Sequence, residues 1–337
     1  MGGTALWLWL VTIVSVLALL ALDFFLVARR PHVVGLPEAA GWSAFYIGVA
    51  LAFTAVLWWA DDLETATGYL TGWLVEKSLS VDNLFVFVII MTRFQVPPEH
   101  QQRVLLFGIS LALTLRAVLI GLGAAATELF SPTFLVFGIL LLWTAVQLIR
   151  HRNDDPDPED NPVLRFARRR LPVTAEPRGG ALTARVDGRR VVTPLFLVFL
   201  TVGSTDLLFA LDSIPAVFGV TRDPFVVFCA NAFALLGLRA LYFLIQGLLV
   251  RLVYLAFGLA VILGFIGVKL ILGFLHEWVS PAVPEVTIAV SLAVISAVLV
   301  ATTIASLIRS RTHPGQRAHA GRLATPARSR ESQPRSG

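Results

Sequence analysis

Cysteine occurs once in these 337 residues, as Cys229 inside an apolar run, so no intrachain disulfide can form and the redox compartment is left open. Methionine occurs twice, at Met1 and Met91, and all six histidines fall between apolar runs, at their ends or in the tail. Soft copper(I) sites and tetrahedral Cys/His zinc sites are thereby disfavoured. Charge is scarce as well: Asp, Glu, Lys and Arg make up 15% of the chain against 56% hydrophobic residues, and mean hydropathy is +0.78. A soluble domain carries about 25% charged residues, so the composition is that of a membrane protein. No nucleotide-binding glycine loop and no nucleophile–base arrangement is visible, and the apolar runs leave no room for a catalytic domain; no enzymatic activity is expected.

The net charge of +5 is carried by arginines between the apolar runs, where they mark membrane orientation. Nucleic acid is therefore not an expected partner; the lipid bilayer is. The first run, 6–27, lacks a basic leader and a small-residue cleavage site, and reads as an uncleaved helix. Nine runs reach spanning length, at roughly 5–28, 42–60, 69–92, 104–126, 130–149, 193–219, 224–246, 252–273 and 285–308. Arginine-bearing connections alternate with acidic ones, which places the N-terminus outside and the C-terminus in the cytoplasm. The expected class is an all-α, polytopic membrane protein of about nine transmembrane helices.

Within this apolar background one stretch stands apart. Glu76-Lys77-Ser78-Leu79-Ser80-Val81-Asp82-Asn83 puts three charges inside a run, 69–91, that is otherwise apolar. Each ionised side chain near a bilayer centre costs about 2.5–3.5 kcal/mol on insertion scales. A second stretch, Asp206-Leu207-Leu208-Phe209-Ala210-Leu211-Asp212-Ser213-Ile214-Pro215, repeats the pattern: an acid, Asp six residues later, then a small polar residue.

The repeat extends to whole helices. Each acid-bearing helix is followed by one with a buried arginine, Arg116 or Arg239, and Phe137-Gly138 and Phe257-Gly258 then open the third helix of each trio. Three helices per unit inserts the second copy upside down, the plan of transporters whose sites lie at the midplane. On that plan Glu76 is expected at the depth of Asp212, and Asp82 at that of Asp206. Pro215, which has no N–H, is expected to free the carbonyl of Leu211, and Ser78, Ser80 and Ser213 to serve locally unwound backbone.

Four clustered carboxylates need cations. Lys77, Arg116, Arg239 and Lys269 supply intramembrane positive charge, and a purely structural salt-bridge network is the bland alternative. The donors on offer, namely Asp, Glu, Asn83, Asn231, Ser80, Ser213 and backbone carbonyls, suit Mn²⁺, Mg²⁺ or Ca²⁺. Asp23 either joins the pathway or pairs with Arg29 or Arg30. Trp58-Trp59 and Trp278 read as interfacial anchors, Asp61, Asp62 and Glu64 as a solvated outer loop, and Cys229 as a packing residue.

The two acidic motifs, with Asn231-Ala232-Phe233-Ala234-Leu235-Leu236-Gly237-Leu238-Arg239-Ala240-Leu241-Tyr242-Phe243, resemble the signature blocks of the TerC/Alx family of bacterial integral membrane proteins, over about 20–308. The resemblance implies a LysE-superfamily-like helical fold in the bacterial cytoplasmic membrane, export of manganese, and an association with tellurium resistance. On matching positions it implies Glu76, Asp82, Asn83, Asp206 and Asp212 as site residues, with Asp23 less securely placed. Tellurite is an oxyanion that the acids would repel, so a tellurium effect is expected to be indirect.

The chain thus divides into a two-helix segment (1–66), a first repeat (67–150), a polar cytoplasmic linker (151–191), an inverted second repeat (192–275), a last helix (276–308) and a basic, disordered tail (309–337). Linker and tail are expected to be largely disordered and to lie near anionic headgroups. The expected function is alternating-access export of a divalent cation, Mn²⁺ as substrate, with no permanently bound cofactor. The rival is a non-transporting scaffold that recruits stress-response proteins through 151–191 and 309–337.

Overall fold

The computed structural model describes residues 6–29, 34–130, 132–151, 161–174, 181–186, 189–248 and 254–312. Eleven helices and one hairpin follow in order: α1 Leu6–Arg29, α2 Leu36–Ala60, α3 Leu63–Arg93, α4 Pro98–Leu129, α5 Thr133–Arg150, α6 Pro162–Arg170, β1 Thr183–Val186, β2 Arg189–Val192, α7 Pro194–Phe218, α8 Pro224–Leu235, α9 Leu238–Leu248, α10 Leu255–Trp278 and α11 Ile288–Thr312. Helix is what apolar runs must adopt in lipid, because it satisfies each backbone group within the segment. The starts are marked in sequence: proline stands in the first turn of α2, α4, α6, α7 and α8, where its missing N–H costs nothing.

Among the described residues seven helices are long and apolar enough to cross a membrane, or eight if the bent pair α8 and α9 counts as one span. The chain is an all-α polytopic membrane protein. α3, with three charges in its interior, stands outside that count, yet its 31 residues rise about 46 Å, ample for a bilayer. The run expected at 224–246 is broken: α8 and α9 meet at 44° around Gly237, whose φ of +78° is left-handed and whose missing side chain leaves room for the Tyr46 ring. The unwinding expected in the acidic motifs is absent. α3 is continuous through Glu76–Asn83, and α7 continues through Pro215.

α5 packs on α10, α3 on α8, and α4 on α7. Exchanging the trio α3-α4-α5 for α7-α8/α9-α10 leaves these pairings unchanged. Where α5 meets α10 the backbones nearly touch: a Cβ on Gly138 would lie 2.9 Å from the Gly267 carbonyl, and one on Gly267 equally close to that of Gly138. Small residues permit such approaches between helices in lipid.

The linker departs from expectation. Its described residues form α6, whose Leu164 and Ala167 bury against Leu197, and the antiparallel hairpin β1-β2 that leads into α7. α6 buries Leu164 and Ala167 on its inner face and leaves its four arginines exposed with Val163 and Phe166, so it gains by docking where random coil would not. Residues 152–160 and the tail from 313 lie outside the described residues.

Candidate functional site

Arg116 of α4 is wholly buried, and three other helices converge on its guanidinium. Nη1 donates to Glu76 Oε1 of α3 and, at 3.0 Å, to Asn231 Oδ1 of α8. Nη2 and Nε face Asp206 of α7, at 3.4 Å from Oδ1 and 3.5 Å from Oδ2. All four residues are at most 2% exposed. With both acids ionised the cluster holds two negative charges and one positive, a net of −1. Oε2 of Glu76 is buried without a hydrogen-bond partner, and the Asp206 contacts are long for charge-assisted bonds. Asn231 is oriented by its own backbone, its Nδ2 donating to Val227 O at 3.1 Å.

This arrangement corrects the pairing expected from the motifs. Glu76 shares its arginine with Asp206, not with Asp212. Asp212 is half-buried and accepts from Thr144 Oγ1 of α5 at 2.9 Å. Asp82, also half-buried, has no hydrogen-bond or ion-pair partner among the described residues. Asn83 is buried beside it in sequence, and Ser80 and Ser213 are buried with hydroxyls that find no partner. Among the described residues, no three of His, Cys, Asp and Glu converge closely enough to hold a metal ion. The four-acid cradle is therefore not assembled; two acids and an amide oxygen meet on one arginine instead.

The remaining cations have other occupations. The break between α8 and α9 leaves the last carbonyls of α8 without helical donors, and Lys77 Nζ donates to one of them, Ala234 O, at 3.1 Å. Arg239 of α9 is not beside Asp206 or Asp212: it grips Asp23 of α1 at 2.5 and 3.2 Å and donates to Gln102 of α4. Asp23 thus has a partner 216 positions away, while Arg30 and the Arg29 side chain lie outside the described residues. Gln102 and Thr144 were not anticipated, since a lone polar residue in an apolar run carries no spacing signal.

Lys269 is likewise away from the cluster. It donates to Ser291 Oγ at 3.0 Å and Val220 O at 3.4 Å in the wall of a cavity of about 800 Å³ that also takes in Glu64, Arg222 and Glu285. The cavity sits among the start of α3, α5 and α11 and the ends of α7 and α10. Arg222 at its rim pairs with Glu277 at 3.0 Å. Asp62, expected in a loop, caps α3 by accepting from Thr65 N at 2.6 Å, and that bond holds its carboxyl below the usual carboxylate value. Trp58, Trp59 and Trp278 are exposed at helix ends, and Cys229 is buried in the core.

Residues 61–313, which contain both acidic motifs, match the integral membrane protein TerC family. An uncharacterised membrane protein of Myxococcus xanthus is 44% identical over 317 residues, covering 94% of this chain and 97% of that protein. An uncharacterised membrane protein of Mycobacterium tuberculosis H37Rv is 44% identical over 299 residues, 86% of this chain and 75% of that one. A protein of Escherichia coli K12, named as a candidate membrane-bound redox modulator, Alx, is 40% identical over 302 residues, 86% of this chain and 90% of its own. No solved structure matches the chain. The chain belongs to the TerC family of integral membrane proteins.

Proposed function

We propose that this chain is a multi-pass transporter of the bacterial cytoplasmic membrane that exports divalent cations, Mn²⁺ first among them, by exchanging the cation with the Arg116 guanidinium. The observation that carries this reading is the Arg116 cluster: two buried carboxylates and one amide oxygen, from α3, α7 and α8, converge on a single positive charge. When the arginine withdraws, Glu76, Asp206 and Asn231 present oxygen donors only, the set that suits Mn²⁺, Mg²⁺ or Ca²⁺. A structural ion pair needs no surplus acid, and buried pairs are weak stabilisers against apolar packing.

Asp82-Asn83 and Asp212-Ser213 lie six and seven positions further along the same helices, about 9 Å in rise, and because α3 and α7 run antiparallel they serve as separate stations on the two sides of the Arg116 cluster, Asp82 toward the linker end and Asp212 toward the cavity end. Exchange-symmetric packing of the two trios supports an inverted repeat and alternating access around this site. Arginine placement puts the cavity end outside, as the exit, with the N-terminus outside and the C-terminus in the cytoplasm. Asp23 with Arg239, and Lys269, stand off the ligand set and brace the helices around it. The single buried cysteine offers no intrachain dithiol, so a redox role of the kind named for the Escherichia coli relative would act here through the amount of a redox-active cation, which Mn²⁺ is.

Cellular manganese tests the reading. Cells expressing the wild-type chain should hold less manganese than cells without it, and Glu76→Gln with Asp206→Asn should abolish the difference. Asp82→Ala and Asp212→Ala should each reduce it. Export unchanged in all of these variants would remove the carboxylates from the mechanism, and purified protein that moves no metal across a vesicle wall would favour a scaffold.

A further inference from the structure

Tyr69 OH, Trp73 Nε1, Glu76 Oε2 and Ser80 Oγ of α3 are buried and find no hydrogen-bond partner. Their spacing is four, three and four, so at 100° per residue they occupy a strip about 60° wide that runs about 16 Å along the helix. The same helix handles its other hydroxyls differently. Thr71, Ser78 and Thr92, on the opposite side, each donate to the carbonyl four residues back, at 2.6, 2.5 and 2.8 Å. Ser80 is as able to do so and does not.

The strip faces α8 and α2: Glu76 on it shares Arg116 with Asn231 of α8, and Tyr69 meets Phe53 of α2 and Phe233 of α8. Tyr69 and Trp73 lie in the core cluster that joins α3 to α1, α2, α4, α7 and α8, with the Tyr69 ring edge-on to Phe53 of α2 at 5.1 Å. One more unpartnered buried hydroxyl, Ser43 Oγ, belongs to α2. The residues of α3 that line the cavity, Leu63, Glu64 and Thr67, are on its other side.

A buried polar atom left unsatisfied costs about 1–3 kcal/mol, and random packing does not align four of them. We propose that this face of α3 borders a file of ordered water that reaches the Glu76 carboxylate along the seam of α3 with α2 and α8, separate from the cavity. Water is the ligand that fits, because it supplies donor and acceptor alike to phenol, indole, carboxylate and hydroxyl, and a buried water makes about three hydrogen bonds. Through it Glu76 communicates with solvent while its other oxygen holds Arg116.

Hydroxyl-radical footprinting of the wild-type protein in lipid nanodiscs tests this without any substitution, since radicals form from water in place. Protection is expressed relative to the denatured chain. Phe225, 1% exposed in the same core, sets the value for a dry site. Tyr69 and Trp73 should be protected at least about tenfold less than this phenylalanine. Protection equal to its own overturns the proposal. The measurement reads hydration and not transport, so a chain that moves no metal still answers it.

Discussion

At the residue scale Arg116 decides the character of the site, because it is the one positive group between two buried acids. Removing one partner of a buried ion network leaves uncompensated charge and costs about 3–5 kcal/mol. Arg116→Ala should therefore lower the melting temperature of the purified protein sharply. If the guanidinium stands where the cargo binds, Mn²⁺ should restore that variant more than it stabilises the wild type, since a ligand at 100 times its Kd contributes about 2.7 kcal/mol. Equal response of the two proteins to Mn²⁺ would separate Arg116 from the metal. Gly237→Ala tests the break between α8 and α9: the left-handed backbone costs about 1–2 kcal/mol for an L-residue, and its methyl would lie 2.7 Å from Tyr46. A thermal melt of this variant indistinguishable from that of the wild type would contradict the geometry.

At the scale of elements, side-chain caps start the acidic helix α3 and the linker helix α6. Asn161 accepts from Val163 N and Leu164 N at the start of α6, and its Nδ2 donates to Ser204 Oγ of α7 at 2.9 Å, two residues before Asp206. One side chain thus starts the linker helix and ties it to the helix that carries the acid. Asn161→Ala should cost about 1 kcal/mol and raise amide hydrogen exchange across 162–170; unchanged exchange there would mean that Leu164 and Ala167 hold α6 without the cap. Asp62→Ala should weaken the first turn of α3 by a similar amount. Because the folded-state value of Asp62 is depressed, that contribution is present above the ordinary carboxylate value of 3.8 and is lost as pH falls through and below it.

The helices and their charges were legible in the sequence, because hydropathy over twenty residues and a charge within it are local signals. The partners were not. Matching motif to motif put Glu76 level with Asp212, but residue 78 is the midpoint of Leu63–Arg93 and residue 206 that of Pro194–Phe218, so antiparallel helices bring Glu76 level with Asp206. Rotation about each axis, which selects Arg116 for this pair and Arg239 for Asp23, depends on side-chain packing spread over the whole bundle. The order of α6 and the β1-β2 hairpin was hidden because Arg-rich, Pro-rich composition reads as disorder unless the docking surface at Leu197 is known.

At the scale of the whole molecule, cavity and linker elements occupy opposite ends of the bundle: Glu64 and Glu285 line the one, while α6 packs by Leu197 at the start of α7 and Arg168 lies over Phe94 at the end of α3. If arginine placement sets the orientation, Trp59→Cys should react with a membrane-impermeant thiol reagent added outside intact cells and Phe166→Cys only after the membrane is opened; the reverse pattern would turn the proposed exporter around. The exchange between guanidinium and cargo is tested most directly by radiolabelled manganese flux in proteoliposomes. Wild-type protein should carry manganese well above protein-free vesicles, and the Glu76→Gln/Asp206→Asn double variant should fall to their level. Flux through the double variant equal to that of the wild type would contradict the account.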